Sequence, residues 1–129
     1  MSVGVGVIGT GVMGSEHARL LSRETPDAHL AGVFDADAAR AQAAAADATV
    51  FPDPRSLIKS DRVGAVIIAS PDGTHAELTL ACLEAGKPVL CEKPLASSAA
   101  DALRVVLAEA ALKRKLIQVG YMRRFDPGY

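Results

Sequence analysis

A glycine-rich turn between a buried strand and a helix is the feature that most constrains this 129-residue chain. Val3 to Ile8 predict the strand, which runs directly into six residues of G-x-G-x-x-G form: Gly9, Thr10, Gly11, Val12, Met13 and Gly14. The first glycine allows a tight turn, the second lets the main chain approach a pyrophosphate, and the third lets the helix pack closely on the strand. The helix that follows points unpaired N–H groups and its positive dipole end at the phosphates. The motif therefore predicts a dinucleotide site, against the alternative of a mere tight turn.

An acidic residue supports that interpretation. A second apolar run, Leu30 to Phe34, ends on Asp35, 21 residues after Gly14. An acid at this place accepts hydrogen bonds from ribose hydroxyls, and its charge would repel the 2′-phosphate of NADP. The next residue, Ala36, cannot compensate, and we expect Arg40 to lie too far along the following helix to do so. The sequence therefore favours NAD as the cofactor.

The composition excludes several classes of protein. The formal net charge is −1, so the chain lacks the basic excess that neutralises a nucleic-acid backbone. Its two cysteines, Cys82 and Cys91, lie in apolar stretches and suit a reducing compartment. No stretch is long and apolar enough to span a bilayer. We expect a cytoplasmic protein with no metal site and with neither nucleic acid nor a membrane as partner.

Apolar runs alternate with helical segments along the whole chain, which is typical of an α/β fold. Six strands are predicted, at Val3–Ile8, Leu30–Phe34, Thr49–Phe51, Ala65–Ala69, Pro88–Cys91 and Leu116–Val119. Parallel strands with crossover helices predict a doubly wound parallel sheet, the Rossmann fold, in the order 3-2-1-4-5-6.

The helices carry recognisable end signals. We expect capping boxes at Thr74 and Ser98, and a left-handed glycine cap at Gly86. In the last helix we expect an apolar face of residues at helical spacing, namely Ala99, Leu103, Val106 and Ala110. A basic end is expected after this face, formed by Lys113, Arg114 and Lys115.

Two loops at the carboxyl ends of later strands face the same crevice as the glycine turn. Ser70, Pro71 and His75 follow the fourth strand, and His75 either approaches the cofactor's ribose or is a surface helix histidine. Glu92 and Lys93 follow the fifth strand. A lysine beside a nicotinamide could hold a substrate hydroxyl and share in its proton transfer, whereas the alternative is a solvated Glu–Lys pair.

These motifs together resemble one known family. The glycine motif, the Ser70–His75 loop, Glu92-Lys93-Pro94 and the stretch from Gly120 to Asp126 occur in the order found in the N-terminal half of the glucose–fructose oxidoreductase/inositol dehydrogenase (Gfo/Idh/MocA) family. The last stretch is most similar to that of inositol 2-dehydrogenases. The resemblance implies NAD(P)-dependent oxidation of a secondary alcohol on a polyol or sugar, with Lys93 near the reacting hydroxyl and with a homo-oligomeric full-length form. Ser70, Pro71, His75 and Glu92 are then expected, with the glycine motif and Asp35, to bind the cofactor.

The family also carries a second domain that supplies further catalytic residues, and we expect it to be absent from this chain. Residues 1–120 are then the NAD-binding domain, and the aromatic and basic residues 121–129 begin the connection to the missing domain, unless they fold back on their own domain. His17 and His29 are poor substitutes for the missing groups, because we expect both to lie away from the crevice. The alternatives are a stand-alone nucleotide-binding module without turnover and, less favoured, another Rossmann-type reductase.

Overall fold

The computed structural model describes residues 2–23 and 25–120. These described residues contain six strands, β1 (Val3–Ile8), β2 (Ala28–Phe34), β3 (Thr49–Val50), β4 (Ala65–Ile68), β5 (Val89–Glu92) and β6 (Ile117–Gly120). Five α-helices connect them: α1 (Val12–Arg23), α2 (Ala38–Ala45), α3 (Pro54–Lys59), α4 (His75–Glu84) and α5 (Ala99–Leu112). A short 3₁₀ turn, Asp72–Thr74, leads into α4.

All six strands form one parallel sheet in the order β3-β2-β1-β4-β5-β6. This confirms the predicted doubly wound fold and its strand order. The register aligns the carboxyl ends of four strands, because Ile8 pairs with both Phe34 and Ile68, and Ile68 pairs with Cys91. The residues that follow these strands therefore share one edge of the sheet, which is the ligand-binding edge of such folds.

Each face of the sheet carries its own apolar cluster. On one face, Val5, Val7 and Val33 pack with Leu21 of α1 and Ala41 of α2. On the other face, the side chains come from β1, β4, β5, the helices α3 and α4 and the segment after β3, and the largest are Ile8, Phe51, Leu57, Ile58, Ile68 and Leu78. The strands are thus covered on both sides, as parallel sheets require.

Two of the predicted helix ends are confirmed. Gly86 has a φ of 72°, its N–H donates to Leu83 O, and the N–H of Lys87 donates to Cys82 O. These two bonds are the Schellman pattern of a glycine-capped helix. The Ser98 hydroxyl accepts from the Asp101 N–H at 3.1 Å and begins α5.

The capping box at Thr74 is wrong. The Thr74 hydroxyl makes no hydrogen bond to the first amides of α4; it donates to Pro71 O at 2.6 Å and lies 2.6 Å from Ser70 Oγ. The 3₁₀ turn before α4 holds Thr74 in a helical conformation, whereas an N-cap needs an extended one. Thr74 therefore closes the loop rather than caps the helix.

The apolar face predicted for α5 is also wrong. Val105 is the buried residue of this helix, while Leu103 and Val106 are 56% and 52% exposed. Because α5 has aliphatic side chains on more than one face, helical spacing alone cannot tell which face packs inward. The basic residues follow the helix directly: Lys113 is its C-cap, in a left-handed conformation with φ 55°, and the last turn itself has no basic residue.

Candidate cofactor-binding site

A cavity of about 820 Å³ lies at the edge where β1, β2 and β4 end. Its walls include five of the residues predicted to bind the cofactor: Gly9, Gly11, Asp35, Ser70 and Pro71. The cavity therefore lies at the switch point between β1 and β4, where the strand order reverses. The remaining predicted residues, Thr10, Val12, Met13, Gly14, His75, Glu92 and Lys93, are not among its walls.

Two positions of the motif require glycine, because other backbone atoms lie too close to leave room for a Cβ. Gly9 has a φ of 91°, and a Cβ there would stand 2.4 Å from the backbone nitrogen of Ser70. A Cβ on Gly14 would stand 1.7 Å from the carbonyl oxygen of Gly9. No side chain fits at either position, so Gly9 and Gly14 bring β1, α1 and the loop after β4 into contact.

Gly11 differs from both. A Cβ built on it meets no atom of the described residues within 4 Å, apart from its chain neighbours. Gly11 thus leaves an open cradle on the cavity wall at the start of α1. The first turn of that fully described helix carries no acidic side chain, so its amides face no carboxylate of their own. An anionic group such as a pyrophosphate fits this cradle.

The neighbouring residues of the motif differ in exposure and in hydrogen bonding. Thr10 is 3% exposed, and its carbonyl oxygen accepts from the Ser15 hydroxyl at 2.7 Å. Val12 and Met13, in contrast, are 89% and 44% exposed, although both are apolar. Their contact with a cofactor stays a prediction.

Asp35 is tied to the glycine turn. Its Oδ2 accepts from the Thr10 N–H at 2.7 Å and from the Thr10 hydroxyl at 3.0 Å, and its Oδ1 accepts from the Asp37 N–H at 2.8 Å. Partial burial alone would raise the pKa of Asp35, but these three hydrogen bonds outweigh it and lower the pKa below its usual value. The carboxylate is therefore held charged on the cavity wall.

Arg40 lies nearer to this site than the sequence indicated. It lines the same cavity as Asp35, and its Nε is 3.7 Å from Oδ2 of Asp37. One turn of α2 is enough to bring it there, so the expectation that it lies too far away needs correction. Asp35 and Asp37 still place two carboxylates around this single guanidinium.

The loop after β4 is closed by His75, whose ring is 1% exposed. Its Nε2 lies 2.8 Å from Ser70 O and its Nδ1 lies 2.6 Å from Pro94 O. His75 is thus a buried residue, not a surface histidine. Whether it also contacts a ribose stays a prediction.

Glu92 has a partner that the sequence did not indicate. The Nε2 of His17 lies 2.7 Å from Oε1 of Glu92, and both side chains are mostly buried. His17 is not among the cavity walls, in line with the expectation that it lies away from the crevice, but one and a half turns of α1 carry it to the end of β5. Lys93 follows Glu92 and is exposed. The solvated Glu–Lys pair does not form, since Glu92 binds a histidine.

Sequence reasoning also missed part of the cavity wall. Residues at the end of β2, before α2, in the 3₁₀ turn and at the starts of α3 and α4 contribute to it, among them Phe34, Asp37, Gly73, Pro54, Glu77 and Leu78. Phe34, Asp37 and Gly73 adjoin predicted residues and could have been inferred from that. Nothing in the sequence links Pro54 or Leu78 to Asp35.

Other kinds of site find no support in the described part of the chain. There, no group of three metal-ligating side chains comes together, and no helix has the length and apolar character needed to cross a membrane. Cys82 and Cys91 are free and buried, and burial raises their pKa values to about 12 and about 11. The predicted connection, residues 121–129, lies outside the described residues.

Comparison with known families gives one clear match. Residues 3–121 match the family model GFO_IDH_MocA, described as an oxidoreductase family with an NAD-binding Rossmann fold. Among curated relatives, inositol 2-dehydrogenase 1 of Saccharopolyspora erythraea is 56% identical over 100% of this chain and 40% of its own length. An inositol 2-dehydrogenase of Rubrobacter xylanophilus is 58% identical over 97% of this chain and 37% of its own length. The chain therefore spans about 40% of the length of these relatives.

Solved structures agree with the fold. The myo-inositol dehydrogenase of Lactobacillus casei, in complex with NAD(H) and myo-inositol, superposes with a TM-score of 0.94 at 41% identity. The match covers 99% of this chain and 39% of that one. A scyllo-inositol dehydrogenase of the same organism, with bound NAD(H) and scyllo-inositol, gives a TM-score of 0.93 at 28% identity, over 100% and 39% of the two chains.

Proposed function

The chain belongs to the Gfo/Idh/MocA family of oxidoreductases with an NAD-binding Rossmann fold, and from this membership we propose that it is the cofactor-binding part of an NAD-dependent dehydrogenase. The reaction is oxidation of a secondary alcohol on a polyol or sugar. The observation that carries the proposal is the cradle at Gly11, on a cavity wall that also carries Asp35 and Ser70.

Each wall of the cavity suits one part of a dinucleotide. The cradle and the first amides of α1 receive the pyrophosphate. The carboxylate of Asp35 faces the cavity and accepts from ribose hydroxyls, in addition to holding Thr10. The apolar side chains Phe34, Pro54 and Leu78, together with Pro71, supply contacts for a flat ring such as adenine.

The preference for NAD over NADP follows from charge. Asp35 and Asp37 both line the cavity, against one arginine, Arg40. A 2′-phosphate brought there would face two carboxylates, and Arg40 already lies near one of them. The net field thus disfavours the additional phosphate.

Lys93 is the catalytic residue of the proposal. A bound NAD would supply the hydride acceptor for oxidation of the alcohol carbon. The Nζ group of Lys93 holds the reacting hydroxyl by a hydrogen bond and shares in passing its proton to an acceptor that the proposed second domain supplies. Lys93 is exposed at the carboxyl end of β5, one strand beyond the cavity, which leaves its side chain accessible to a substrate.

The substrate class is supported by the relatives. Both Lactobacillus casei structures hold an inositol with NAD(H), and the curated relatives are named inositol 2-dehydrogenases. An inositol or a related cyclic polyol is therefore the proposed substrate. We place the protein in the cytoplasm and expect its full-length form to be a homo-oligomer that needs neither nucleic acid nor a membrane.

The relatives are about 2.5 times as long as this chain. We propose that the additional length in the relatives corresponds to a second domain that completes the substrate pocket, with residues 121–129 as the start of the connection. The 129 residues alone should then bind NAD but turn over negligibly, because missing proton-transfer and positioning groups cost orders of magnitude in rate.

The second candidate function is a nucleotide-binding module without turnover. A steady-state assay separates the two. The 129-residue chain and a form extended by the following reading frame are incubated with NAD and myo-inositol, and NADH absorbance is recorded. Turnover by the extended form alone supports the dehydrogenase. A stop codon directly after Tyr129 supports the module, and turnover by the short chain contradicts the need for a second domain.

A further inference from the structure

Two histidines from different helices hold the segment Glu92-Lys93-Pro94. His17 of α1 reaches the Glu92 carboxylate through Nε2 at 2.7 Å. His75 of α4 reaches the Pro94 carbonyl oxygen through Nδ1 at 2.6 Å. The residues directly before and after Lys93 are thus each bound to an imidazole.

The His75 ring connects this segment to the cofactor cavity. Its second nitrogen lies 2.8 Å from the carbonyl oxygen of Ser70, and Ser70 lines the cavity. Carbonyl oxygens only accept, so a neutral ring donates to one of them at a time and an imidazolium donates to both. The ring is 1% exposed, and water does not compete for these positions.

The Glu92 side chain is confined on two sides. His17 binds one carboxylate oxygen, and the other would stand 2.9 Å from a Cβ built on Gly120 at the end of β6. The glycine at 120 therefore leaves the room that the carboxylate occupies. Glu92 is fixed between α1 and β6.

The segments that lead into the two helices line the cofactor cavity, with Gly9 and Gly11 before α1 and the Ser70–Thr74 loop before α4. His17 lies three residues after Gly14 on α1, and His75 is the first residue of α4, directly after the Ser70 loop. The cofactor site and the position of Lys93 therefore both depend on the placement of α1 and α4.

We propose that His17 and His75 are positioning residues that fix the neighbours of Lys93, the one through the Glu92 side chain and the other through the Pro94 carbonyl oxygen. The proposal rests on the proposed function, in which Lys93 acts on the substrate. Neither histidine needs to contact the cofactor or the substrate. Their effect is to hold the exposed lysine at a set place relative to the cavity.

Replacement by asparagine and by glutamine tests both contacts, because the two amides imitate different ring nitrogens. The asparagine amide nitrogen stands near the place of Nδ1, and the glutamine amide nitrogen near that of Nε2. His75→Asn therefore keeps a donor for Pro94 O, and His75→Gln does not. At position 17 the order is reversed: His17→Gln keeps a donor for Glu92, and His17→Asn does not.

The measurement is the ¹⁵N relaxation order parameter of the Lys93 amide in the 129-residue chain. We expect about 0.85 in the wild type, His75→Asn and His17→Gln, and below about 0.6 in His75→Gln and His17→Asn. The amide of Val7, in the centre of the sheet, is the internal control and should not change. A general loss of packing would lower the order parameter with either replacement. It would not favour asparagine at position 75 and glutamine at position 17.

An unchanged Lys93 order parameter in all four variants overturns the proposal, and so does the same rank order at both positions. If the buried His75 variants do not fold, the two variants of the more exposed His17 decide alone. NAD titration of the wild type is run in parallel. Failure of that titration contradicts the proposed function, while the relaxation data still decide the role of the histidines.

Discussion

The Oδ2 atom of Asp35 accepts two hydrogen bonds from Thr10, one from its N–H at 2.7 Å and one from its hydroxyl at 3.0 Å. The acid at the end of β2 thus fastens the glycine turn at the end of β1. Asp35 has two roles in the account: it shapes the turn that receives the pyrophosphate, and it offers its charge to the ribose.

Replacing Asp35 should change the preference of the site for NAD over NADP. In Asp35→Ala, the ratio of NAD to NADP affinity should fall by about tenfold, or about 1.4 kcal/mol, because the charge that opposes the 2′-phosphate is gone. Thr10→Val is the control, since it removes the hydroxyl bond to Asp35 but keeps the charge, and its ratio should stay at the wild-type value. Calorimetric titration with both nucleotides measures this. An unchanged ratio in Asp35→Ala would remove Asp35 from the ribose site.

The carboxylate of Asp35 also makes the stability of the fold depend on pH. The pKa of Asp35 is lowered in the folded state, so the group contributes stability above its unfolded pKa of about 3.9. That contribution is lost as the pH falls through the folded pKa. The melting temperature of the wild type should exceed that of Asp35→Asn at pH 7, and the gap should shrink below about pH 4. A gap that stays constant down to pH 3 would argue against this linkage.

Two glycines of the motif should respond differently to alanine. In Gly14→Ala, the new Cβ would stand 1.7 Å from Gly9 O, so we expect a loss of about 1–3 kcal/mol or more in the free energy of unfolding. In Gly11→Ala, the Cβ points into the cradle, so stability should stay within about 0.5 kcal/mol while NAD binding is lost. Denaturant unfolding and NAD titration of both variants give the comparison. Wild-type NAD affinity in Gly11→Ala would show that the cradle is not the phosphate site.

Lys93 should matter for turnover but not for cofactor affinity, because it is not part of the cavity wall. In a form that includes the second domain, Lys93→Ala should lower kcat by about 10²–10⁴-fold, the range for loss of a proton-transfer group. The NAD affinity of the 129-residue chain should change less than about threefold. Lys93→Arg keeps the charge and serves as the control for binding alone. Equal kcat in Lys93→Ala and the wild type would assign the proton transfer to another group.

The cysteines should be unreactive in the native protein. With pKa values of about 12 for Cys82 and about 11 for Cys91, the thiolate fraction at pH 8 is at most about one in a thousand, and both side chains are buried. A thiol reagent such as Ellman's reagent should therefore react only as the chain unfolds in denaturant. Rapid reaction with one equivalent under native conditions would contradict the burial of that thiol.

The parts of the fold that could be predicted are those with local causes. The strand order follows from alternating strands and helices, and the glycine motif follows from steric needs at Gly9 and Gly14. These features recur because the backbone geometry of a strand–turn–helix unit demands them. The register then brings Gly9, Asp35 and Ser70 to one cavity, as the sequence indicated.

The parts that could not be predicted depend on contacts between distant residues. His17 and Glu92 are 75 residues apart, and nothing in either local sequence reveals their contact. His75 could be assigned to neither a ribose nor the surface, because its partners, Ser70 O and Pro94 O, are backbone atoms of two different loops. Thr74 illustrates a competing local structure, since a 3₁₀ turn took the place of the predicted capping box.

The central claim is that the cradle at Gly11 receives the phosphates of NAD, and amide chemical shifts test it most directly. In a ¹H–¹⁵N titration of the 129-residue chain with NAD, the amides of Gly11, Val12, Met13 and Gly14 should show the largest shifts, and saturation should need a higher concentration of NADP than of NAD. Shifts confined to other parts of the chain, or equal affinity for both nucleotides, would contradict the account.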